Sequence, residues 1–209
     1  MRRPLTALAT AFALVLAACS RATSPGPSEP AASVTAPVAS GPPPAAPAAA
    51  PPTSGPAGQA DVMAGKAAPD FTGKTYDGKV VTLSSFRGKP VVVYFYPKDE
   101  TAGCTKEACS FRDAWQDLAA TGAVLIGVSM DNAESHKEFV EHWKLPFVLL
   151  SDPDGAIAAE YGVPLKSHGG ASFEARQTFV IGPDGVIKKV YREVDVSKHA
   201  TEVLADLKP

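Results

Sequence analysis

Val91-Val92-Val93-Tyr94-Phe95-Tyr96-Pro97-Lys98-Asp99-Glu100-Thr101-Ala102-Gly103-Cys104-Thr105 reads as a buried strand that stops at a proline and passes, through a short polar loop, into a helix with a cysteine near its start. The run from Val91 to Tyr96 is apolar and aromatic without alternation, as a central strand covered on both faces requires. Pro97 has no N–H and a fixed φ, so it closes the strand and stiffens the loop. The helix is expected from about Cys104 to Ala120, with Phe111, Trp115 and Leu118 on one face at spacings of four and three. The first N–H groups of a helix lack intrahelical partners and lie at the positive end of its dipole, which favours thiolate over thiol. Cys109 follows five residues later in the same helix.

Working outward, Asp77-Gly78 between Thr72–Tyr76 and Val80–Leu83 is a hairpin signal on the N-terminal side. On the other side, Ala123–Ser129 is a second buried strand, and Asp131 with Glu134 forms a capping-box start for a helix to about Trp143. Phe147–Leu150 is a third strand, followed by the turn Asp152-Pro153-Asp154-Gly155 and a short helix to about Tyr161. Gln177–Ile181 and Val186–Tyr191 flank Pro183-Asp184-Gly185, a second hairpin signal, and Ser197 is expected to cap a last helix ending near Leu207. Strands alternating with helices, then a hairpin and a helix, imply an α/β fold: a mixed central sheet with helices on both faces and an N-terminal hairpin.

Composition changes near residue 60 of the 209, leaving 61–209 as one domain of ordinary size. Arg2, Arg3, Arg21 and Glu29 are the charged residues before Asp61, so 17 of the 20 basic and 21 of the 22 acidic residues fall in that domain. A formal charge near −4 argues against nucleic acid as a partner. Of the three cysteines, Cys19 lies in the N-terminal segment, and Cys104 and Cys109 are too close in sequence to close a long stabilising loop. No paired Cys-x-x-Cys or His-x-x-x-His pattern points to a metal site.

Met1-Arg2-Arg3 followed by the apolar run Leu5–Ala18 has the charged and hydrophobic regions of an export signal, and is shorter than the roughly 20 residues of a spanning helix. Leu16-Ala17-Ala18-Cys19 resembles the lipobox of bacterial lipoproteins, in which the signal, here residues 1–18, is removed and the cysteine is lipidated. The alternative is an ordinary cleaved signal with an incidental cysteine. Two or three acyl chains on Cys19 would anchor stably, at about 0.8 kcal/mol per buried methylene. By the lipoprotein rule, Ser20 rather than Asp after the cysteine directs the protein to an outer membrane, on its periplasmic side. Residues 19–60 form the linker. From Ser24 to Gly58, 11 of 35 residues are proline and almost none is charged, so no core forms there. As extended polyproline at about 3.1 Å per residue, the linker is a tether reaching on the order of 100 Å.

The spacing Pro97-x-x-x-Thr101-x-x-Cys104 resembles the active-site motif of peroxiredoxins, the AhpC/TSA-like proteins. With Cys109 in the same helix, it is similar to the bacterioferritin comigratory protein, or peroxiredoxin Q, branch, and Gly65-Lys66-Ala67-Ala68-Pro69-Asp70-Phe71 resembles the family's entry segment. The resemblance covers the last 145 residues or so. It implies a thioredoxin-like fold and a cofactor-free thiol peroxidase acting on hydrogen peroxide and small organic hydroperoxides. It also implies an intramolecular Cys104–Cys109 disulfide, recycled by thioredoxin or, outside the inner membrane, another dithiol protein. Cys104 takes the peroxidatic role and Cys109 the resolving role. Thr101, the backbone N–H groups around Gly103 and Cys104, and Arg176 become donors to the peroxide, and Pro97 shields the sulfur.

Physical chemistry supports these roles. Thiolate alone does not make a fast peroxidase, because charge developing on the leaving oxygen must meet preorganised donors. Arg176, directly before Gln177-Thr178-Phe179-Val180-Ile181, could be a plain surface arginine, yet a guanidinium is always charged and offers several fixed donors. Five helical residues put two Cα atoms about 140° apart around the axis and roughly 8 to 9 Å apart in space. A disulfide spans less than about 7 Å. The helix must therefore unwind for Cys109 to resolve Cys104. A resolving cysteine in the same helix needs no partner subunit, which favours a monomer. Glu107 is read as a helix cap or as a guide for protons. His168 is read as a solvated loop residue, His136 and His142 as members of a polar helix face, and Trp115 and Trp143 as core or near-core aromatics. Two rivals remain: a thiol–disulfide oxidoreductase, which normally carries Cys-x-x-Cys, and a copper-binding assembly lipoprotein using Cys104, Cys109 and His168.

Overall fold

A computed structural model describes residues 62–208; the expected signal 1–18, the expected lipidation site Cys19 and the expected linker lie outside the described residues. The early hairpin forms as β1 (Thr72–Thr75) and β2 (Val80–Thr82), and the 3-10 turn Leu83–Phe86 leads to β3 (Val91–Phe95). Then follow helices α1 (Ala102–Asp113) and α2 (Trp115–Ala120), strand β4 (Val124–Ser129), helix α3 (Ala133–Trp143), strand β5 (Val148–Ser151) and helix α4 (Ala156–Glu160). A small hairpin, β6 (Leu165–His168) and β7 (Ala171–Glu174), precedes β8 (Gln177–Ile181), β9 (Ile187–Tyr191) and helix α5 (His199–Leu207).

Seven strands make one sheet in the order β2-β1-β5-β4-β3-β8-β9. β3, β4 and β5 run parallel, while β1 and β8 join this centre antiparallel, so the sheet is mixed as expected. Successive side chains of a strand point to opposite faces. Val91, Val93 and Phe95 therefore pack with Ile157, Ala158 and Tyr161 of the α4 region, and Val92, Tyr94 and Tyr96 pack with Phe111, Leu118, Phe139 and Val203 from α1, α2, α3 and α5. All five β3 residues are buried, which accounts for the uninterrupted apolar run. Gly127 lets this second layer close: a β-carbon there would come within 2.6 Å of Leu149 Cδ2 and 2.8 Å of the Tyr94 ring. The thioredoxin-like arrangement anticipated from the element order is the one observed. No helix among the described residues is long and apolar enough to cross a membrane.

Several local readings are corrected. The long helix starts two residues earlier than expected and breaks at Ala114, giving α1 and α2. The cap of α3 is Asn132, whose side chain accepts from Ser135 N at 2.9 Å; Asp131 instead accepts from Asp99 N and Ser129 Oγ. Ser197 does not cap α5: its N–H and hydroxyl both donate to Asp195, and Asp195 O accepts from Lys198 N and His199 N. The hairpin β6–β7 was expected as loop because Lys166-Ser167-His168-Gly169-Gly170 has no apolar alternation; it pairs only with itself and is largely exposed.

Candidate active site

The chain leaves the sheet at Phe95, and Tyr96 N still bonds to Val128 O at 3.1 Å, so the loop starts from a fixed point. Within the loop, Asp99 is buried and accepts from Tyr96 Oη (2.7 Å) and Ser135 Oγ (2.7 Å), with His136 Nδ1 at 2.8 Å. His136 is thus fully buried inside a polar network, not on a solvated face, because α3 turns that residue toward the loop. Glu100 adopts a left-handed φ of 57°, and its carboxylate meets His142 Nδ1 and Trp143 Nε1, both at 3.0 Å. His142 is exposed as expected, although it is engaged, and Trp115 and Trp143 are half-buried against the core.

These contacts deliver Thr101 to the N-cap position of α1. Its hydroxyl donates backward to Lys98 O at 2.9 Å and makes no cap to the helix. The N–H groups of the first turn, Gly103 and Cys104 among them, are therefore left without a side-chain cap. Cys104 is 2% exposed. A β-carbon on Gly103 would lie 3.5 Å from Arg176 Nη2, in ordinary contact, so glycine here widens the space beside the sulfur and relieves no clash.

Arg176 arrives between β7 and β8 and bridges two groups of α1. Nη2 lies 3.1 Å from Cys104 Sγ, and Nη1 is ion-paired with Glu107. A fixed cation donating into the sulfur stabilises negative charge on it. Glu107, one turn beyond the start of α1, is not a helix cap; its side chain is 1% exposed and faces inward. Burial pushes its carboxyl up to about 7, with Arg176 pulling in the opposite direction. Glu107 Oε1 has no hydrogen-bond partner, and His199 Nε2 stands 3.8 Å from it.

Cys109 lies on the same continuous helix, half-buried and reduced, and burial raises its thiol above the ordinary value against the pull of Arg112. An open groove of about 520 Å³ runs beside the helix start, lined by Pro97, Lys98, Thr101, Met130, His168 and Phe173 among others. His168 is thus exposed at the groove and away from any ligand set. Among the described residues no three His, Cys, Asp or Glu side chains converge as a metal site would need. The structure brings Gly103, Cys104, Glu107 and Arg176 to one place, with Pro97 and Thr101 lining the groove beside the helix start. Asp99, Glu100, His136 and His199 were not anticipated. Asp99 stands inside the decisive stretch, and a buried aspartate between strand end and helix start could have been suspected there.

Glu174, two residues before Arg176, is fully buried with neither carboxyl oxygen hydrogen-bonded. Burial, reinforced by Asp152 and Asp131, pushes its pKa up to about 9. A carboxyl whose pKa is raised on folding binds its proton more tightly in the native state, so its contribution is full at acid pH and fades as pH rises from about 4.5 toward 9. Glu174→Gln is expected to raise the urea midpoint at pH 8.5 and leave it nearly unchanged at pH 5, so that the two curves converge on acidification.

Residues 64–190 match the AhpC/TSA family. The chain is 49% identical over 144 residues to peroxiredoxin Q, chloroplastic, of Oryza sativa subsp. japonica, covering 68% of this chain and 65% of the rice protein. It therefore spans about two-thirds of the length of the plant relatives. It is 43% identical over 149 residues to putative peroxiredoxin bcp of Coxiella burnetii, covering 70% of this chain and 99% of that one. Among solved structures, peroxidoxin BcpB of Mycobacterium tuberculosis superposes with a TM-score of 0.64 at 36% identity, over 69% of this chain and 95% of that chain. Peroxiredoxin Q of Xanthomonas campestris superposes at 0.61 and 34% identity, over 66% and 89%. A shared fold, a matching domain and a cysteine held between a helix start and an arginine lead to one assignment: the chain belongs to the AhpC/TSA family, in its peroxiredoxin Q and bacterioferritin comigratory protein branch.

Proposed function

We propose that the protein is a thiol-dependent peroxidase that reduces hydrogen peroxide and organic hydroperoxides through Cys104 and Cys109. The observation that carries this reading is the Arg176 guanidinium 3.1 Å from Cys104 Sγ, at a helix start whose N-cap hydroxyl does not cap it. Cys104 thiolate attacks the terminal peroxide oxygen: an S–O bond forms, the O–O bond breaks, and the leaving alkoxide or hydroxide takes a proton to give alcohol or water. Arg176, Thr101 and the N–H groups of Gly103 and Cys104 stabilise the oxygens as charge moves onto them. Pro97 closes the sulfur from one side. Cys109 sulfur then displaces hydroxide from the Cys104 sulfenic acid, and with the Cys109 proton this leaves as water while the S–S bond forms. Two electrons and two protons from a thioredoxin-like dithiol restore both thiols. The structurally similar bacterioferritin comigratory protein of Xanthomonas campestris has alkyl peroxide reduction activity, which supports including organic hydroperoxides.

The intrahelical disulfide needs no second subunit, so the working unit is a monomer. The Leu16-Ala17-Ala18-Cys19 sequence supports an exported form anchored by lipid on Cys19, tethered to the outer membrane on its periplasmic side. There the reductant is a dithiol protein of that compartment. Two tests follow. Mixing reduced protein with either peroxide class should consume thiols at a second-order rate far above that of free cysteine; a rate no faster would sink the peroxidase reading. Labelling cells with radioactive palmitate should mark the wild type and not Cys19→Ala, whereas label in neither would remove the anchor.

A further inference from the structure

Behind the Arg176–Glu107 pair lies a histidine that the mechanism above does not use. His199 opens α5, is fully buried, and packs its ring edge-on against Phe111 and Tyr191, with centroids at 5.4 and 5.0 Å. An apolar side chain would fill this pocket without the cost of burying two ring nitrogens. Nδ1 has no partner, while Nε2 lies 2.8 Å from Thr178 Oγ1 and 3.8 Å from Glu107 Oε1, itself unpartnered.

The protonation pattern follows from these contacts. A proton on Nδ1 would leave a buried donor unsatisfied, whereas a proton on Nε2 points into the gap shared by Thr178 and Glu107. Burial, together with Arg176, pushes the imidazole down to about 4, so the ring is neutral at working pH and adds no competing cation. The groups facing Glu107 are Arg176 ahead of β8, His199 from α5, Tyr94 from β3, and Cys104 from its own helix.

We propose that His199 is a positioning residue of the peroxidatic site: its neutral Nε2–H, bonded to Thr178 Oγ1 and 3.8 Å from Glu107 Oε1, favours the ionised form of that buried carboxyl and thereby helps hold the guanidinium on Cys104 Sγ. This rests on the peroxidase reading of Cys104. The sequence conveys none of it, because His199 is 23 residues from Arg176 and 92 from Glu107 in the chain.

The test is the rate of thiol oxidation by hydrogen peroxide in the full chain at pH 6 and pH 8.5. Removing a donor from a carboxylate favours its protonated form, so the loss must grow as pH falls. His199→Phe should slow the reaction about tenfold at pH 6 and little at pH 8.5, the effect of raising Glu107 by about one pKa unit. His199→Gln, which places an amide N–H near the position of Nε2, should recover most of the rate. In a Glu107→Gln background His199→Phe should add nothing, since the coupling is lost. An equal loss at both pH values, or the same loss in that background, would overturn the proposal. The tautomer is read without any variant: nitrogen NMR of histidine-labelled wild type should show His199 neutral and protonated on Nε2 from pH 5.5 to 8, and an Nδ1–H or a charged ring would overturn it. Wild-type oxidation no faster than free cysteine marks failure of the peroxidase reading instead, so the two failures are distinguishable.

Discussion

Arg176→Met slows oxidation of Cys104 by peroxide about 10² to 10³-fold, the range for removing one preorganised donor from a site of developing charge. The substitution keeps much of the side-chain volume and removes both functions of the guanidinium: the contact to Cys104 Sγ and the ion pair to Glu107. Arg176→Lys keeps the charge, yet a single ammonium lacks the fork that spans both partners, so its rate falls between those of Met and wild type. Stopped-flow measurement under excess peroxide checks this, with thiols counted beforehand to confirm that each variant starts reduced. A rate for Arg176→Met close to wild type would leave the helix start alone to activate the sulfur.

Asp99→Ala is expected to lower the stability of the fold markedly. It leaves Tyr96 Oη, Ser135 Oγ and His136 Nδ1 without the carboxylate they share, with Tyr96 and His136 fully buried and Ser135 half-buried. Orphaned buried polar groups cost about 1–3 kcal/mol each, and partial relaxation brings the total to about 3 kcal/mol. For a domain of this size that is a fall in melting temperature of about 10 °C. Asp99→Asn, which retains one acceptor oxygen, falls less. Thermal unfolding followed by circular dichroism reads the difference. The network ties the loop to α3, so Asp99→Ala also weakens peroxide reduction by letting Thr101 and the first turn of α1 move. A melting temperature unchanged by the substitution would mean that water replaces the carboxylate.

The part of the fold nearest Cys104 was the most legible. An apolar strand, a proline and a cysteine at a helix start leave their marks within 15 residues, because each depends on local backbone chemistry. The hairpin at Asp77-Gly78 was legible for the same reason. Partners brought together by tertiary packing were not. Glu107 was read as a cap or a guide for protons, and not as the partner of Arg176, because that ion pair joins positions 69 residues apart. His136 was placed on a solvated face because its partner, Asp99, sits 37 residues away in a loop that only the folded chain brings to α3. The caps of α3 and α5 were displaced by a residue or two where several short polar side chains compete, Asp131 and Asn132 at one helix and Asp195 and Ser197 at the other.

Cys104 and Cys109 sit five residues apart on one continuous helix, and both are reduced. That geometry makes the disulfide the sharpest statement about the cycle, since it can form only if the first turns of α1 open. The decisive measurement adds one equivalent of hydrogen peroxide to reduced protein and maps cysteine linkage by mass spectrometry, with backbone hydrogen exchange followed across α1. The account predicts a Cys104–Cys109 disulfide in the wild type, faster exchange in residues 102–109 after oxidation, and a trapped sulfenic acid on Cys104 in Cys109→Ser. Oxidation that leaves Cys109 free, or a disulfide formed with α1 still protected, would contradict it.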